Sequence, residues 1–274
     1  MPTLGRFRYL EARPAGASSG ITRSAGGVSN TLVLIHGFPL SARMWEPQLE
    51  LANQGWRVIA PQLRGFDGAA DSSPAQSMDD YAADIIDLLD ALHLDQAVIG
   101  GLSMGGYITF ALFRHAPRYF RAMVLADTRA QPDAPQAKEG RQRMLEAVRS
   151  TGVQAAAAEM LPKLVCDATL RDHPEVVETL SRMMLSNSTE TVAGAIVALM
   201  TRPDSVPLLT GIHCPTLVLV GDQDAITPPP LSEDLQRGIK GAELVVIPNA
   251  GHMSNMEQPQ AFNRALSHFL EHRV

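Results

Sequence analysis

Strand-like and helix-like segments alternate along this 274-residue chain, and the alternation predicts an α/β fold with a mostly parallel sheet flanked by helices. Three segments carry the expectation. Thr31–Ile35 is an unbroken β-rich apolar run, as a strand covered on both faces of a parallel sheet reads. Ser77–Leu92 joins a Ser N-cap and an acidic residue three positions later to apolar residues at 78, 81, 82, 85, 88, 89 and 92, the stripe of an amphipathic helix. Residues 96–110 run from an apolar strand-like stretch through Gly101-Leu102-Ser103-Met104-Gly105 straight into a helix-like one.

The other elements follow in order. Phe7–Ala12 reads as the first strand, and the Gly/Ser/Ala-rich stretch 15–30 as a hairpin loop or a partly disordered connection. Ser41–Leu51 contains a helical segment, and Arg57–Ala60 with Pro61 makes the next strand. Further strands are expected at Ala97–Gly100, Ala122–Ala126, Pro215–Val220 and Ala242–Ile247, with a C-terminal helix from about Pro259 to Glu271. Residues 130–208 break the alternation: they are helical, rich in Ala and Met (Met144, Met160, Met183, Met184, Met200), and return through Pro203 and Pro207. The expected organisation is therefore a core of residues 1–129 and 209–274 with a helical cap at 130–208. Methionines at helical spacing suit core packing, and they equally suit a soft apolar surface laid over an open site.

Composition narrows the function classes. A hydrophobic fraction of 45% is enough for one large packed domain, and a net charge of −6 disfavours a nucleic-acid surface. The longest apolar runs are strand-length, so no membrane span is expected. The N-terminus, Met1–Glu11, alternates basic and apolar residues without the apolar centre of a secretory signal, which makes cytoplasmic residence the simplest expectation. Cys166 and Cys214 read as free thiols. No His or Cys pair has zinc-like spacing and no acidic run resembles a calcium loop, so neither metal nor cofactor is expected.

The chemistry starts at Ser103. A serine held between a strand and a helix turns so sharply that residues two positions away have no room for side chains, which explains Gly101 and Gly105. Its hydroxyl needs a base and an acid that orients the base. Val245–His252 places a histidine just past the last strand, in a loop where Asn249 and Gly251 permit tight turns, so His252 is the expected base. His36 precedes Gly37 and reads as a loop-stabilising residue, while His93, His115, His268 and His272 read as helix-surface residues. After the strand at Pro215–Val220 come Asp222 and Asp224, and the order Ser, Asp, His is the one this elbow uses. Asp224 is the expected acid, with Asp222 as a turn cap and Asp127, at another strand end, as alternatives. Phe38, in His36-Gly37-Phe38-Pro39, and Met104, after the serine, are the expected backbone oxyanion donors; Pro39 has no N–H to offer, and Gly37 and Pro39 also suit a plain turn.

Taken together, His36-Gly37-Phe38-Pro39, Arg64-Gly65-Phe66, Gly101-Leu102-Ser103-Met104-Gly105-Gly106, Gly221-Asp222-Gln223-Asp224 and Gly251-His252 resemble the α/β-hydrolase family over nearly the whole chain. The resemblance implies an eight-stranded sheet, a Ser103–His252–Asp224 triad and no cofactor. It is nearest to small capped esterases, enol-lactonases such as 3-oxoadipate enol-lactonase, and cofactor-free haloperoxidases that act as esterases and perhydrolases. It therefore implies a serine hydrolase for small to medium apolar esters or lactones. The epoxide hydrolases and haloalkane dehalogenases of this fold attack with Asp where this chain has Ser103. Perhydrolysis, carbon–carbon bond hydrolysis and a ligand-binding receptor are the competing readings. One departure is Gln62, where the family often has Asp, which puts the usual charge pairing of that loop in question.

Overall fold

The strand pairing places one end of every central strand, and the loop that follows it, along a single edge of the sheet. The computed structural model describes residues 1–16, 30–68 and 74–274. Among the described residues, eight strands form one sheet: β1 (Thr3–Leu4), β2 (Phe7–Ala12), β3 (Thr31–Ile35), β4 (Arg57–Pro61), β5 (Ala97–Leu102), β6 (Phe120–Ala126), β7 (Thr216–Gly221) and β8 (Glu243–Ile247). Their spatial order is β1-β2-β4-β3-β5-β6-β7-β8. β1 pairs with β2, and β2 with β4, antiparallel; every pair from β4 to β8 is parallel. The fold class expected from the sequence is the one observed. The two-residue β1 adds a hairpin before the expected first strand, too short to leave a periodic signal. The expected connection at 15–30 falls largely outside the described residues.

Side chains alternate across the sheet and build two cores. Val33, Ile35, Ile99, Met123, Leu125 and Val218 face one side, while Leu32, Leu34, Val98, Leu102, Val124, Leu217 and Leu219 face the other. Each such Leu, Ile or Val contributes about 1.5–3 kcal/mol on leaving water. The first layer is covered by α1 (Met78–Ala91) and α2 (Met104–His115), the second by a 3₁₀ run at Ala42–Gln54 and by α10 (Pro259–His272). At α1, Ser77 Oγ accepts the Asp80 N–H while the Asp80 carboxylate accepts the Ser77 N–H, so both ends of the expected capping pattern are made. The helical segment expected within Ser41–Leu51 is a 3₁₀ run over Ala42–Gln54, and it carries Pro47, which has no N–H to give a regular ladder.

Between β6 and β7 lie five α-helices, α3 (Pro135–Thr151), α4 (Gln154–Leu164), α5 (Asp167–Asp172), α6 (Pro174–Leu185) and α7 (Thr189–Thr201), and a 3₁₀ turn at Val206–Gly211. α3 and α7 pack into the first core through Met144, Leu145, Val148, Ile196 and Leu199, whereas α4 and α6 join the second through Leu164, Leu180, Met183 and Met184. α8 (Pro229–Gly238) and the short α9 (Ser254–Glu257) flank β8. Among the described residues no helix is long and apolar enough to cross a membrane.

Candidate active site

β5 ends at Leu102, α2 begins at Met104, and Ser103 makes the turn between them at φ 56°, ψ −114°. A non-glycine residue in the left-handed region is strained and persists only where its surroundings hold it. Three hydrogen bonds do so: Ser103 N–H donates to Ala126 O at 3.0 Å, and Ser103 O accepts from Gly106 N–H and Thr128 Oγ1–H, both at 2.9 Å. The glycines are required by contact. A Cβ on Gly101 would lie 2.3 Å from the Gly105 carbonyl carbon, and one on Gly105 would lie 2.1 Å from Ile35 O. Ser103 itself is half-buried.

The loop after β3 lies directly against this elbow, since a Cβ on Gly37 would sit 3.5 Å from Ser103 Cβ. Among the described residues the Phe38 N–H has no protein acceptor, and Met104 heads α2, where first-turn amides have no partner within their own helix. Of the two expected oxyanion donors, Met104 thus follows Ser103 in the chain and Phe38 follows the glycine that abuts it. His36 braces the loop from below: Leu63 N–H donates to its Nε2 at 3.2 Å, so Nδ1 carries the proton and donates to Gly37 O at 3.0 Å. Burial pushes this imidazole down to about 4, so it stays neutral. Gln62 reaches the same nitrogen from 3.4 Å and accepts the Ala42 N–H at 3.1 Å, so a neutral amide meets a neutral ring and no carboxylate is needed there.

Of the three acids, Asp224 is the one bonded to His252. Its Oδ2 accepts His252 Nδ1–H at 2.8 Å and Thr227 Oγ1–H at 2.7 Å, and its Oδ1 accepts the Ile226 and Thr227 N–H groups at 2.8 and 2.9 Å. Burial by itself raises this carboxyl, but the charge and hydrogen bond of His252 and the Thr227 donors outweigh it and hold Asp224 below the usual carboxylate range. With Nδ1 so engaged, Nε2 of His252 is the nitrogen left to serve a nucleophile. Among the described residues no hydrogen bond joins it to Ser103 Oγ; such contacts commonly close only when substrate is bound.

Asp222 instead accepts the Ala250 N–H at 3.2 Å, steadying the turn that leads to His252. Asp127 accepts Gly221 N–H at 2.8 Å and the Ser254 hydroxyl. Burial and the neighbouring Asp224 charge push its carboxyl well above the usual range. Thr227, Thr128 and Ser254 did not stand out in the sequence, although an acid followed three positions later by Thr227 is the spacing of a side-chain-closed turn. Cys166 and Cys214 are both free. Among the described residues no group of three or more His, Cys, Asp or Glu side chains could hold a metal ion.

Comparison with known proteins places this geometry in context. A family model described as the alpha/beta hydrolase fold matches residues 30–259. The 3-oxoadipate enol-lactonase 2 of Acinetobacter baylyi is 32% identical over 235 residues, 86% of either chain. A thermophilic esterase from Thermogutta terrifontis, solved with malate bound, superposes with a TM-score of 0.87 at 41% identity, covering 97% of this chain and 93% of that one. The enol-lactonase from Burkholderia xenovorans LB400, 24% identical with a TM-score of 0.85 over 97% of this chain and 96% of its own, shares the fold.

Proposed function

Since the chain belongs to the α/β-hydrolase family, we propose that it is a serine hydrolase cleaving carboxylic esters or lactones of small to medium apolar substrates through an acyl-enzyme on Ser103. The observation that carries the reading is the buried Asp224–His252 pair at 2.8 Å, which leaves the far imidazole nitrogen unengaged at the edge of the sheet that also bears the Ser103 elbow. The relatives named enol-lactonase and esterase support the substrate class.

In the proposed reaction His252 Nε2 takes the Ser103 proton as Oγ attacks the carbonyl, and Asp224 fixes the tautomer and stabilises the imidazolium. The amides of Phe38 and Met104 receive the oxyanion, helped by the positive end of α2. His252 then protonates the departing alkoxide, which for a lactone stays attached to the acyl group. Finally it activates the water that frees Ser103. Residues 130–208 would form the cap over the core of residues 1–129 and 209–274, and their apolar helices would select the acyl chain.

The direct test is hydrolysis of p-nitrophenyl esters from acetate to laurate by the wild type and Ser103→Ala in parallel. Activity lost in the variant supports the reading, and the preferred chain length sizes the acyl pocket. Activity retained by Ser103→Ala, or absent from the wild type on every ester and lactone tried, refutes it.

A further inference from the structure

Five positions beyond His252 the chain places a carboxylate that no step above uses. Glu257 closes α9, is 8% exposed, and reaches across two parts of the structure at once. Its Oε1 accepts the Gly251 N–H at 2.7 Å, while its Oε2 accepts the Cys166 N–H at 2.8 Å and the Thr169 hydroxyl at 2.7 Å. Gly251 immediately precedes His252, and Cys166–Thr169 is the junction of α4 and α5. The same two stretches meet again where Met253 N–H donates to Leu164 O at 2.9 Å and where Cys166 Sγ lies 3.7 Å from Asn249 O. They touch closely, for a Cβ on Gly251 would fall 2.6 Å from Cys166 N and 2.7 Å from the Val165 carbonyl carbon.

We infer that Glu257 is a positioning residue whose carboxylate locks the His252 loop to the Leu164–Thr169 junction and thereby holds the imidazole in line with Asp224 and Ser103. The inference rests on the hydrolase reading and adds to it a link between the catalytic base and the inserted helices. The chemistry of the donor set demands a carboxylate. Three donors converge from opposite sides on one buried group, and an ionised carboxylate offers acceptors only. Glutamine would turn its NH₂ toward one of those donors, and aspartate, one methylene shorter, would not span both sides. Without the clamp the loop rests on its other bonds, and Asn249, at φ 56°, shows how tightly it must be turned to present His252. Displacing a catalytic group by about 1 Å costs about a hundredfold in rate.

The experiment compares the wild type, Glu257→Gln, Glu257→Asp and Thr169→Val by ester kinetics and by the low-field NMR resonance of the His252 Nδ1 proton, assigned by its loss in His252→Ala. For Glu257→Gln the expected result is a kcat lowered about tenfold or more with KM within about twofold, together with a shifted or broadened resonance, and no rescue by Glu257→Asp. Thr169→Val keeps both amide donors and should fold, with a kcat loss of about threefold and a smaller shift in the same direction. Variants that melt earlier but keep the wild-type kcat and an unmoved resonance would overturn the inference and reduce Glu257 to a structural staple. If Glu257→Gln does not fold, an unchanged kcat and resonance in Thr169→Val overturn it instead. The resonance is read without substrate, so an inactive wild type would sink the hydrolase reading while the positional role is still decided by the spectrum.

Discussion

Replacing Asp224 by Asn changes one atom and tests the logic of the whole site. Two backbone N–H groups, of Ile226 and Thr227, are aimed at Oδ1, and the Thr227 hydroxyl and His252 Nδ1 are aimed at Oδ2. Asparagine has one acceptor oxygen. If its NH₂ faced the two backbone donors, both would lose their acceptor, the buried Thr227 N–H at about 1–3 kcal/mol and the half-buried Ile226 N–H at less. The oxygen therefore stays at the Oδ1 position and the NH₂ points at His252 and Thr227. The threonine hydroxyl can rotate to accept, but the imidazole must then present a bare Nδ1 and carry its proton on Nε2. In the proposed reaction that is the nitrogen that must be empty to take the Ser103 proton, so kcat should fall about 10⁴-fold, about 5.5 kcal/mol of barrier, while the fold is kept. The assay is kcat on the best p-nitrophenyl ester for wild type and variant, with circular dichroism to confirm the fold. Asp127→Asn is the internal control: burial and the neighbouring Asp224 charge push this carboxyl well above the usual range, no bond joins it to His252, and an amide still accepts the Gly221 N–H, so kcat should stay within about threefold. A kcat for Asp224→Asn within tenfold of the wild type, or a larger loss for Asp127→Asn, would refute the assignment.

Three further outcomes follow from the geometry. His36 titrates near 6.5 when unfolded and is held down to about 4 when folded, so the folded state prefers its neutral form; that stability is complete above pH 6.5 and is lost as pH falls toward 4, by about 3 kcal/mol in all. Urea midpoints between pH 7 and 4 should show this slope, and His36→Gln should flatten it; parallel slopes in both proteins would contradict it. Gly105→Ala would drive a methyl to 2.1 Å from the Ile35 carbonyl in β3, so a stability loss of about 3 kcal/mol or no soluble protein is expected, read from the melting temperature. Thr227→Val removes the hydroxyl donor from Asp224 and leaves the backbone donors, so kcat should drop about threefold to tenfold with KM nearly unchanged, and a wild-type kcat would show that the hydroxyl is idle.

What the sequence revealed, and what it withheld, follows from the range of the forces involved. The elbow is legible because the contacts that demand Gly101 and Gly105 come from the turn itself and from the adjacent strand. Strand ends are legible for a similar reason, since the apolar runs stop at Ala126, Gly221 and Ile247, the last residues of β6, β7 and β8. Asp224 is the expected acid and Asp127 stays an alternative because each follows a strand end; β6 and β7 are neighbours, which brings the two carboxyls close enough for their charges to interact, and Asp224 is the one hydrogen-bonded to His252. Gln62 looked like a lost charge partner, and the structure removes the puzzle by showing that the His36 beside it is neutral. Glu257 was invisible because its partners Cys166 and Thr169 stand 91 and 88 positions away, and no local pattern records a bond of that span.

The inserted helices leave the sheet after Ala126 and re-enter at Thr216, and these two strands are direct neighbours, with Ala126 opposite Leu219. The two ends of the segment meet directly, since Ser205 N–H donates to Ala130 O at 3.0 Å, and replacing it asks little of the chain ends. The segment is thus suited to transplantation: a different set of helices can be grafted between the same two strands with the elbow, the acid and the base left untouched. A successful graft must still deliver two donors to Glu257 and a carbonyl to Met253, because the recipient's histidine loop leans on the donor's backbone. With a cap that selects the acyl chain, as proposed above, a graft would change specificity, and on the role inferred for Glu257 full speed would come only to grafts that respect those few bonds.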